Sequence, residues 1–162
     1  NAPSADRTLT VADNSATFLM SNMIPQAPNN NQQAWANMEN YCRKLVSQGN
    51  ELYIIMGQYG KGGTGSAGYK ETLANGKVTV PNRIWKVIVV LPVGTNDVNR
   101  VTTSTRVIAI DTPNSNNIST SWGTYRTTVD AIESKTGHNI LSNVPAAIQS
   151  VIEARVDNGP TS

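Results

Sequence analysis

Between Asn31 and Val46 the apolar residues form one helical stripe, spaced at three and four positions, that would pack against a core. This stripe comprises Met38, Tyr41, Cys42, Leu45 and Val46. A second ridge recurs every four residues and brings a carboxamide, a carboxylate and a guanidinium to one face. It comprises Asn31, Trp35, Glu39 and Arg43. The pattern predicts a helix that packs by one face and presents polar groups on the other, and the asparagines after Pro28 supply its N-cap signal.

Beyond this helix the pattern changes to short apolar runs that are typical of β-strands. The predicted strands are 51–56, 77–80, 84–91, 102–110 and 125–128. Residues 51–56 form a continuous apolar strand, which we expect at the centre of the sheet, and 84–91 predicts a strand covered on both faces. Two amphipathic helices follow, over 129–137 with Gly137 at its end and over 144–156. This order predicts an α+β domain whose mostly antiparallel sheet is flanked by helices.

The remaining segments carry weaker signals. Residues 1–16 are polar and predict a loop that contains at most one short turn. Thr17–Met23 mixes β-branched and large apolar residues, which predicts a buried strand or extended segment that ends before Pro25. The glycine-rich segment Gly57–Gly76 lacks both the GK[ST] ending of a phosphate-binding loop and a following helix, so it predicts a flexible loop. The tail over 157–162 is expected to fray.

Composition and charge narrow the possible classes of protein. The chain has 162 residues, of which 38% are hydrophobic and 15% charged, as is typical of one folded domain with a substantial core. A net charge of +2 and a pI near 8.8 are only mildly basic, so charge alone does not indicate nucleic-acid binding. The single cysteine, Cys42, excludes an intrachain disulfide and a cysteine-rich zinc site, and its apolar neighbours predict a buried side chain. No apolar run reaches the length of a membrane span, so we expect no membrane partner.

Three N-terminal segments, Pro3–Thr8, Thr17–Gln26 and Asn31–Arg43, follow one another with a specific order and spacing. Together they resemble the non-specific DNA/RNA endonuclease family of the Serratia and cyanobacterial type, and Trp85–Leu91 and Leu141–Val144 are similar to its cyanobacterial branch. The resemblance implies a central sheet flanked by helices, with a ββα-metal finger on one side. It also implies an enzyme that hydrolyses DNA and RNA without sequence specificity, uses one Mg²⁺ or Mn²⁺ ion and leaves 5′-phosphate ends.

The resemblance assigns roles to the polar ridge. It implies Asn31 as the direct magnesium ligand, Glu39 as a catalytic residue that holds metal-bound waters, and Arg43 as a catalytic contact to the phosphate. A single carboxamide suits Mg²⁺, which keeps most of its waters and needs few protein oxygens. The alternative is that Glu39 and Arg43 form an ordinary surface pair, worth roughly a few tenths of a kcal/mol, and that Asn31 is a helix cap.

Further polar residues are candidates for supporting this site. Asn22 and Gln26 are implied as supporting groups, although their alternative role is to tie the end of the predicted strand to the start of the helix. Arg7 is a supporting residue as well, since a sequence-indifferent nuclease needs basic side chains that contact the nucleic-acid backbone. The basic residues considered for this contact are Arg7, Arg43, Lys44, Arg83 and Lys86. The alternative is that most of them are solubilising charge.

The general base of the family is a histidine in an Asp-Arg-Gly-His motif, directly followed in the family by residues that correspond here to Asn1–Ser4. The one histidine in this sequence, His138, has no counterpart in the family match and is expected at the surface. We therefore expect residues 1–162 to be the C-terminal part of a single endonuclease domain and to be nearly inactive alone. A companion polypeptide that carries the upstream strands and the histidine is expected to pack against it.

The competing hypothesis is a catalytically inactive nuclease-like module that binds nucleic acid or a protein inhibitor. Both hypotheses account for the missing histidine. Digestion of plasmid DNA and RNA with magnesium or with a chelator separates them. The family resemblance also implies a secreted or periplasmic protein.

Overall fold

A four-stranded antiparallel sheet organises the computed structural model, which describes residues 2–162 of the chain. The strands are β1 (Asn50–Tyr59), β2 (Gly63–Gly65), β3 (Gly68–Lys70), β4 (Thr72–Leu73), β5 (Val78–Thr79), β6 (Arg83–Pro92), β7 (Arg106–Pro113) and β8 (Arg126–Thr127). The central sheet has the order β1-β6-β7-β8, and the short strands form two hairpins, β2-β3 and β4-β5. β7 starts later than predicted because the amide of Thr102 donates to Thr105 Oγ1 in a local turn. The predicted, mostly antiparallel sheet is confirmed.

Within the described residues, five α-helices connect and cover the strands. They are α1 (Val11–Ala16), α2 (Ala36–Ser47), α3 (Asp97–Arg100), α4 (Val129–Thr136) and α5 (Ala146–Ile152). A π-helical turn over Asn30–Trp35 leads into α2, so the predicted helix is confirmed with a different winding in its first part. α4 ends at Gly137, whose φ of 73° suits glycine, as predicted, and α5 is shorter than the predicted 144–156. No helix among residues 2–162 is long and apolar enough to cross a membrane.

The two faces of the sheet bury two separate apolar clusters. Successive side chains of a strand point to opposite faces, so neighbouring residues of β6 belong to different clusters. Ile84 and Ile88 pack with the apolar stripe of α2, whereas Trp85 and Val87 pack with α4 and α5. Because β6 contributes buried side chains to both faces of the sheet, it belongs to both clusters. Burial of each large aliphatic side chain stabilises the fold by about 1.5–3 kcal/mol. The predicted coverage of this strand on both faces is confirmed.

Among residues 2–162, β1 lies at the edge of the sheet and not at its centre, where the strand over 51–56 was expected. Tyr53 and Ile54 are 45% and 47% exposed, although they belong to the apolar run. Which strand takes the centre depends on long-range pairing, and the hydrophobicity of one strand does not encode that pairing. Within residues 2–162, β1 therefore presents an unpaired edge with exposed apolar side chains.

The segment Thr17–Met23 is not the buried strand that its composition predicted. It contains a short 3-10 turn over Met20–Asn22, and Phe18 and Leu19 are exposed. Their apolar character predicted burial, but among the described residues the sheet offers this segment no pairing partner. The same composition therefore produces an exposed apolar surface.

Two segments predicted as loops contain regular structure. Helix α1 lies within residues 1–16, where the side chain of Thr10 caps it by accepting a hydrogen bond from the amide of Asp13. The glycine-rich segment 57–76 is ordered into hairpins. Asn1, which corresponds to the residue directly after the histidine motif of the family, lies outside the described residues.

The C-terminal tail is held in place, so the prediction that it frays is wrong. Asp157 is buried and accepts hydrogen bonds from Arg106 Nε at 2.8 Å and from Arg106 Nη2 at 2.9 Å. Arg126 Nη1 lies 3.4 Å from the same carboxylate. These arginines come from β7 and β8, far from the tail in sequence, so the polar composition of the tail alone did not reveal its anchor.

Candidate functional site

The π-helical turn over Asn30–Trp35 shapes the start of the polar ridge. Asn30 is fully buried, and its amide donates to Thr112 Oγ1 at 3.1 Å and to the carbonyl of Pro113 at 3.0 Å. These bonds fix the turn to the end of β7. Such turns interrupt the regular α-helical ladder and are frequent at functional sites. Asn31, the next residue, lies on the outer side of the anchored turn.

Asn31 is exposed to solvent. Its backbone amide donates to the carbonyl of Ala27 at 3.0 Å, whereas its side chain makes no hydrogen bond within the described part of the chain. No side-chain cap bond is made at this helix start, so Asn31 has no capping role here. Asn31 lies in the π-helical turn and Glu39 lies in α2, eight residues further along the chain.

Glu39 lies between two basic side chains. Its side chain is 18% exposed, with Oε1 3.6 Å from Lys86 Nζ and Oε2 3.9 Å from Arg43 Nη2. Both separations are longer than a normal hydrogen bond, so the carboxylate oxygens can still accept hydrogen bonds from other donors. Glu39 and Arg43 share a face of the helix, as predicted. The pair is more than an ordinary surface pair, since Lys86 joins it from the sheet below.

Lys86 is the one charged residue inside the apolar run 84–91. Its position in β6 places it on the face that packs against α2, where its side chain is 2% exposed. Its Nζ lies 4.5 Å from the ring centroid of Trp35, a cation–π contact. Burial lowers the pKa of the Lys86 ammonium, although the charge of Glu39 acts in the opposite direction. Lys86 is therefore a buried partner of Glu39 and not a contact to the nucleic-acid backbone. The sequence feature that could have indicated this burial is a single charged residue within an apolar strand.

Arg43 is held by two groups that the sequence analysis missed. Its Nε donates to Asp6 Oδ1 at 2.7 Å and its Nη1 donates to Asn40 Oδ1 at 2.8 Å. The hydrogen bond to Asp6 raises the pKa of the guanidinium. With 38% of its side chain exposed, Arg43 remains accessible to an anion. Asp6 precedes Arg43 by 37 residues, so no local spacing signals this pair.

A broad depression with a volume of about 750 Å³ is bordered by Glu39, Arg43, Asp6 and Lys86. It is lined by Ala2, Pro3, Asp6, Arg7, Asn22, Glu39, Cys42, Arg43, Val46, Leu52, Ile54, Met56 and Lys86. Of the predicted site residues it includes Arg7, Asn22, Glu39 and Arg43, but neither Asn31 nor Gln26. Val46 was predicted in the buried stripe of the helix, but it is exposed at this depression. The depression therefore combines a charged wall from α2 with an apolar wall from β1.

Asn22 and Gln26 have different surroundings. The side-chain amide of Asn22 donates to the carbonyls of Ala2 at 3.0 Å and Thr17 at 2.9 Å, and its Oδ1 accepts from the amide of Ala2 at 2.7 Å. Asn22 therefore fixes the N-terminal segment beside the depression instead of tying a strand to the helix. Gln26 lines a separate cavity of about 220 Å³ next to the β2-β3 hairpin.

The other residues considered from the sequence lie outside the charged cluster. Arg83 Nε donates to the carboxylate of Asp111 at 2.9 Å, which engages it in an ion pair. Lys44 and His138 are exposed, as expected for His138. Cys42 is buried, as predicted, and burial raises the pKa of its thiol to about 11, so it is not a nucleophile at neutral pH.

Sequence comparison places this chain beside known nucleases. Residues 2–147 match the family model described as DNA/RNA non-specific endonuclease. The chain is 50% identical over 157 residues to a nuclease of Nostoc sp., an alignment that covers 97% of this chain and 54% of that protein. It is 31% identical over 93 residues to the mitochondrial nuclease EXOG of Xenopus laevis, which covers 55% of this chain and 26% of that protein. The chain thus spans about half the length of the Nostoc nuclease.

The fold is similar to that of a solved nuclease structure. A crystal structure of the EndoG/EndoGI complex aligns with a TM-score of 0.65 and 21% sequence identity, covering 88% of this chain and 58% of the solved chain. At this level of identity the similarity concerns the fold. It confirms the α+β class predicted from the sequence.

Proposed function

Since this chain belongs to the DNA/RNA non-specific endonuclease family, as its N-terminal segments indicated, we propose that it supplies the cation-binding and phosphate-binding part of a nuclease. The proposed enzyme hydrolyses DNA and RNA without sequence specificity and leaves 5′-phosphate ends. The observation that carries the proposal is the placement of Glu39 between Lys86 and Arg43 at the wall of an open depression. A carboxylate and a guanidinium in this arrangement suit phosphodiester chemistry.

The oxygen donors of this region fit a hydrated Mg²⁺ or Mn²⁺ ion. Asn31 offers an exposed carboxamide oxygen, and Glu39 offers a carboxylate that is not saturated by its basic neighbours. Hard divalent cations prefer oxygen donors, and Mg²⁺ keeps several of its waters. We propose Asn31 as the direct ligand and Glu39 as the acceptor for hydrogen bonds from the waters. When bound, the ion supplies positive charge that stabilises the negative charge developing on the phosphate.

Arg43 is the proposed phosphate contact. Its planar guanidinium presents several N–H donors that match the oxygens of a phosphate. The hydrogen bonds to Asp6 and Asn40 orient this group before a substrate arrives. Arg7 and Asn22 line the same depression and are proposed as supporting residues, Arg7 through its charge and Asn22 through its hold on the N-terminal segment. Substrate recognition would therefore rest on the phosphate backbone and not on base identity.

The general base is proposed to come from a companion polypeptide. His138 is exposed and does not line the depression, so we assign it no catalytic role. The proposed companion carries the Asp-Arg-Gly-His motif and upstream strands, and pairs with the edge of β1. That edge strand has 10 residues and exposes Tyr53 and Ile54, and native proteins usually pair or cover such an edge. With this addition, the depression beside Glu39 would become an enclosed active site.

Digestion of plasmid DNA and RNA tests the proposed function. The chain together with its companion is expected to cleave both substrates with Mg²⁺ and to stop in chelator. Residues 1–162 alone are expected to be slower by about 10²- to 10⁴-fold, the usual contribution of a general base. Intact mass and N-terminal sequencing identify the companion. Full activity of residues 1–162 alone would contradict the proposal that the general base comes from a companion. Inactivity of the chain together with its companion would favour a catalytically inactive module that binds nucleic acid or an inhibitor.

Arg43→Ala is expected to weaken nucleic-acid binding by a similar factor for every base sequence. Loss of one phosphate contact should make the slope of log K against log [salt] shallower by about 0.7–0.9. Fluorescence anisotropy with labelled oligonucleotides at several salt concentrations measures this slope. Lys135→Ala is the control, because it removes an exposed charge from α4, on the opposite face of the sheet, and should leave the slope unchanged. A loss confined to some base sequences would contradict a phosphate contact.

A protein inhibitor is the second proposed partner. An inhibitor that covers the depression would bury Glu39 and Arg43 and block the phosphate site. Competition between a candidate inhibitor and a labelled oligonucleotide tests this role. Secretion or periplasmic export is proposed from the family resemblance.

A further inference from the structure

Three acidic side chains converge on the face of the sheet opposite α2. They are Asp130 and Glu133 of α4 and Glu153 at the end of α5, and one carboxylate oxygen from each lies within 4.8 Å of the others. The apolar residues of α4 and α5 pack on the cluster around Trp85, whereas α2 packs on the cluster around Ile88. The acidic group is therefore separated from the candidate nuclease site by the sheet.

Glu153 is the unusual member of this group. It is 5% exposed, and its Oε1 is buried without a hydrogen-bond partner among the described residues. Burial, followed by the charges of Glu133 and Asp130, raises the pKa of the Glu153 carboxyl to about 7. Native proteins seldom bury a carboxylate without a partner, because removing it from water is costly. A cation bound beside this oxygen would offset the cost of burying the carboxylate.

We propose that Asp130, Glu133 and Glu153 bind one calcium ion that ties α4 to the end of α5. The ligand set contains only carboxylate oxygens, which hard cations such as Ca²⁺ prefer, whereas structural zinc sites and softer metals usually take nitrogen or sulfur ligands. The three oxygens lie within 4.8 Å of one another, so one Ca²⁺ ion could reach all of them through bonds of about 2.3–2.6 Å with little rearrangement. Mg²⁺ is less suited to this site, because it demands an almost ideal octahedron and keeps several of its waters, whereas Ca²⁺ takes more oxygen ligands in a flexible geometry. Asp130 is exposed, so water completes the coordination.

The other hydrogen bonds of these three residues do not prevent calcium binding. Glu133 Oε1 accepts a hydrogen bond from the amide of Ile140 at 2.6 Å, which orients its carboxylate and leaves its Oε2 available. The amide of Asp130 donates to the carbonyl of Glu153 at 3.2 Å, so the two helices already meet at this point. Calcium would add a second link at the same place. The site is independent of the proposed nuclease function.

Calcium titration of the chain and of Glu153→Gln tests the proposal. By isothermal titration calorimetry, the wild-type chain should bind one more Ca²⁺ per molecule than Glu153→Gln, and Mg²⁺ should bind that additional site roughly tenfold more weakly or worse. At a hundredfold excess over Kd, calcium should raise the Tm of the wild type by about 5 °C more than that of the variant. In chelator, Glu153→Gln should have a higher Tm than the wild type, because the substitution removes a buried negative charge that Asp130 and Glu133 repel.

Two further variants make the outcome decisive. Asp130→Asn changes an exposed carboxylate and should also remove the additional calcium, so the test does not depend on the folding of Glu153→Gln. Glu71→Gln alters an exposed carboxylate between the two hairpins and should keep the full calcium response. Equal calcium stoichiometry in the wild type, Glu153→Gln and Asp130→Asn would overturn the proposal. Tighter binding of Mg²⁺ than of Ca²⁺ at this site would overturn the choice of calcium.

Discussion

Replacing Asn31 by alanine is expected to reduce metal-dependent cleavage by at least about a hundredfold while leaving the fold intact. The side chain is exposed and makes no hydrogen bond within the described residues, so its removal breaks no structural contact. The proposed loss is that of the direct metal ligand. Initial rates of plasmid relaxation by the complete protein at several Mg²⁺ concentrations measure the effect, and circular dichroism with a thermal scan reports the fold. High Mg²⁺ should restore part of the rate if the defect is in metal affinity.

Gln33→Ala is the matched control for this substitution. Gln33 lies two residues later in the same π-helical turn and is also exposed, but it is not on the polar ridge. We expect its rate and metal dependence to match the wild type. An Asn31→Ala enzyme with the wild-type rate at low Mg²⁺ would show that the metal assignment is wrong.

Glu39→Gln is expected to lower cleavage by at least about a hundredfold and also to reduce the free energy of unfolding by about 3 kcal/mol. The second effect arises because Lys86 is buried and Glu39 is its anionic partner. Without that carboxylate, an ammonium that is 2% exposed loses its nearest anionic partner, and its contact to Trp35 compensates for only part of that loss. Urea denaturation measures the loss of stability, and Glu71→Gln, whose ion pair with Lys61 is exposed, should change it by less than about 1 kcal/mol.

Adding Lys86→Met to Glu39→Gln should separate the two effects. The unbranched methionine replaces the buried ammonium by an apolar group, so the double variant should recover most of the lost stability. Cleavage should stay low, because Glu39 itself is proposed to hold the waters of the metal. A double-mutant cycle gives the coupling energy between the two residues. A double variant as unstable as Glu39→Gln would contradict the idea of an uncompensated charge at Lys86.

The candidate site could be predicted from the sequence where its residues are close together in the chain. Glu39 and Arg43 share a face of α2, since helical spacing alone places side chains four residues apart on one side. The groups that control them come from elsewhere: Asp6 from the N-terminal segment and Lys86 from β6. Lys86 was considered only as a nucleic-acid contact, because its depth in the protein depends on how α2 packs against the sheet.

The acidic group on the opposite face was not anticipated at all. Asp130 and Glu133 are neighbours on one helical face, but Glu153 reaches them only because α4 and α5 pack on the same cluster. Isolated acidic residues on two amphipathic helices are common on protein surfaces. The burial of one carboxylate oxygen distinguishes this group, and burial of that kind is a property of the folded chain.

The sequence by itself determined the family, the α+β class, the course of α2 and the double burial of β6, because these follow from local periodicity and from a specific order of segments. Tertiary structure decided that β1 lies at an edge and that Asp157 anchors the tail. These outcomes depend on which distant segments contact each other. Hydrophobic periodicity indicates which face of a segment is buried, but it does not identify the segment that covers that face.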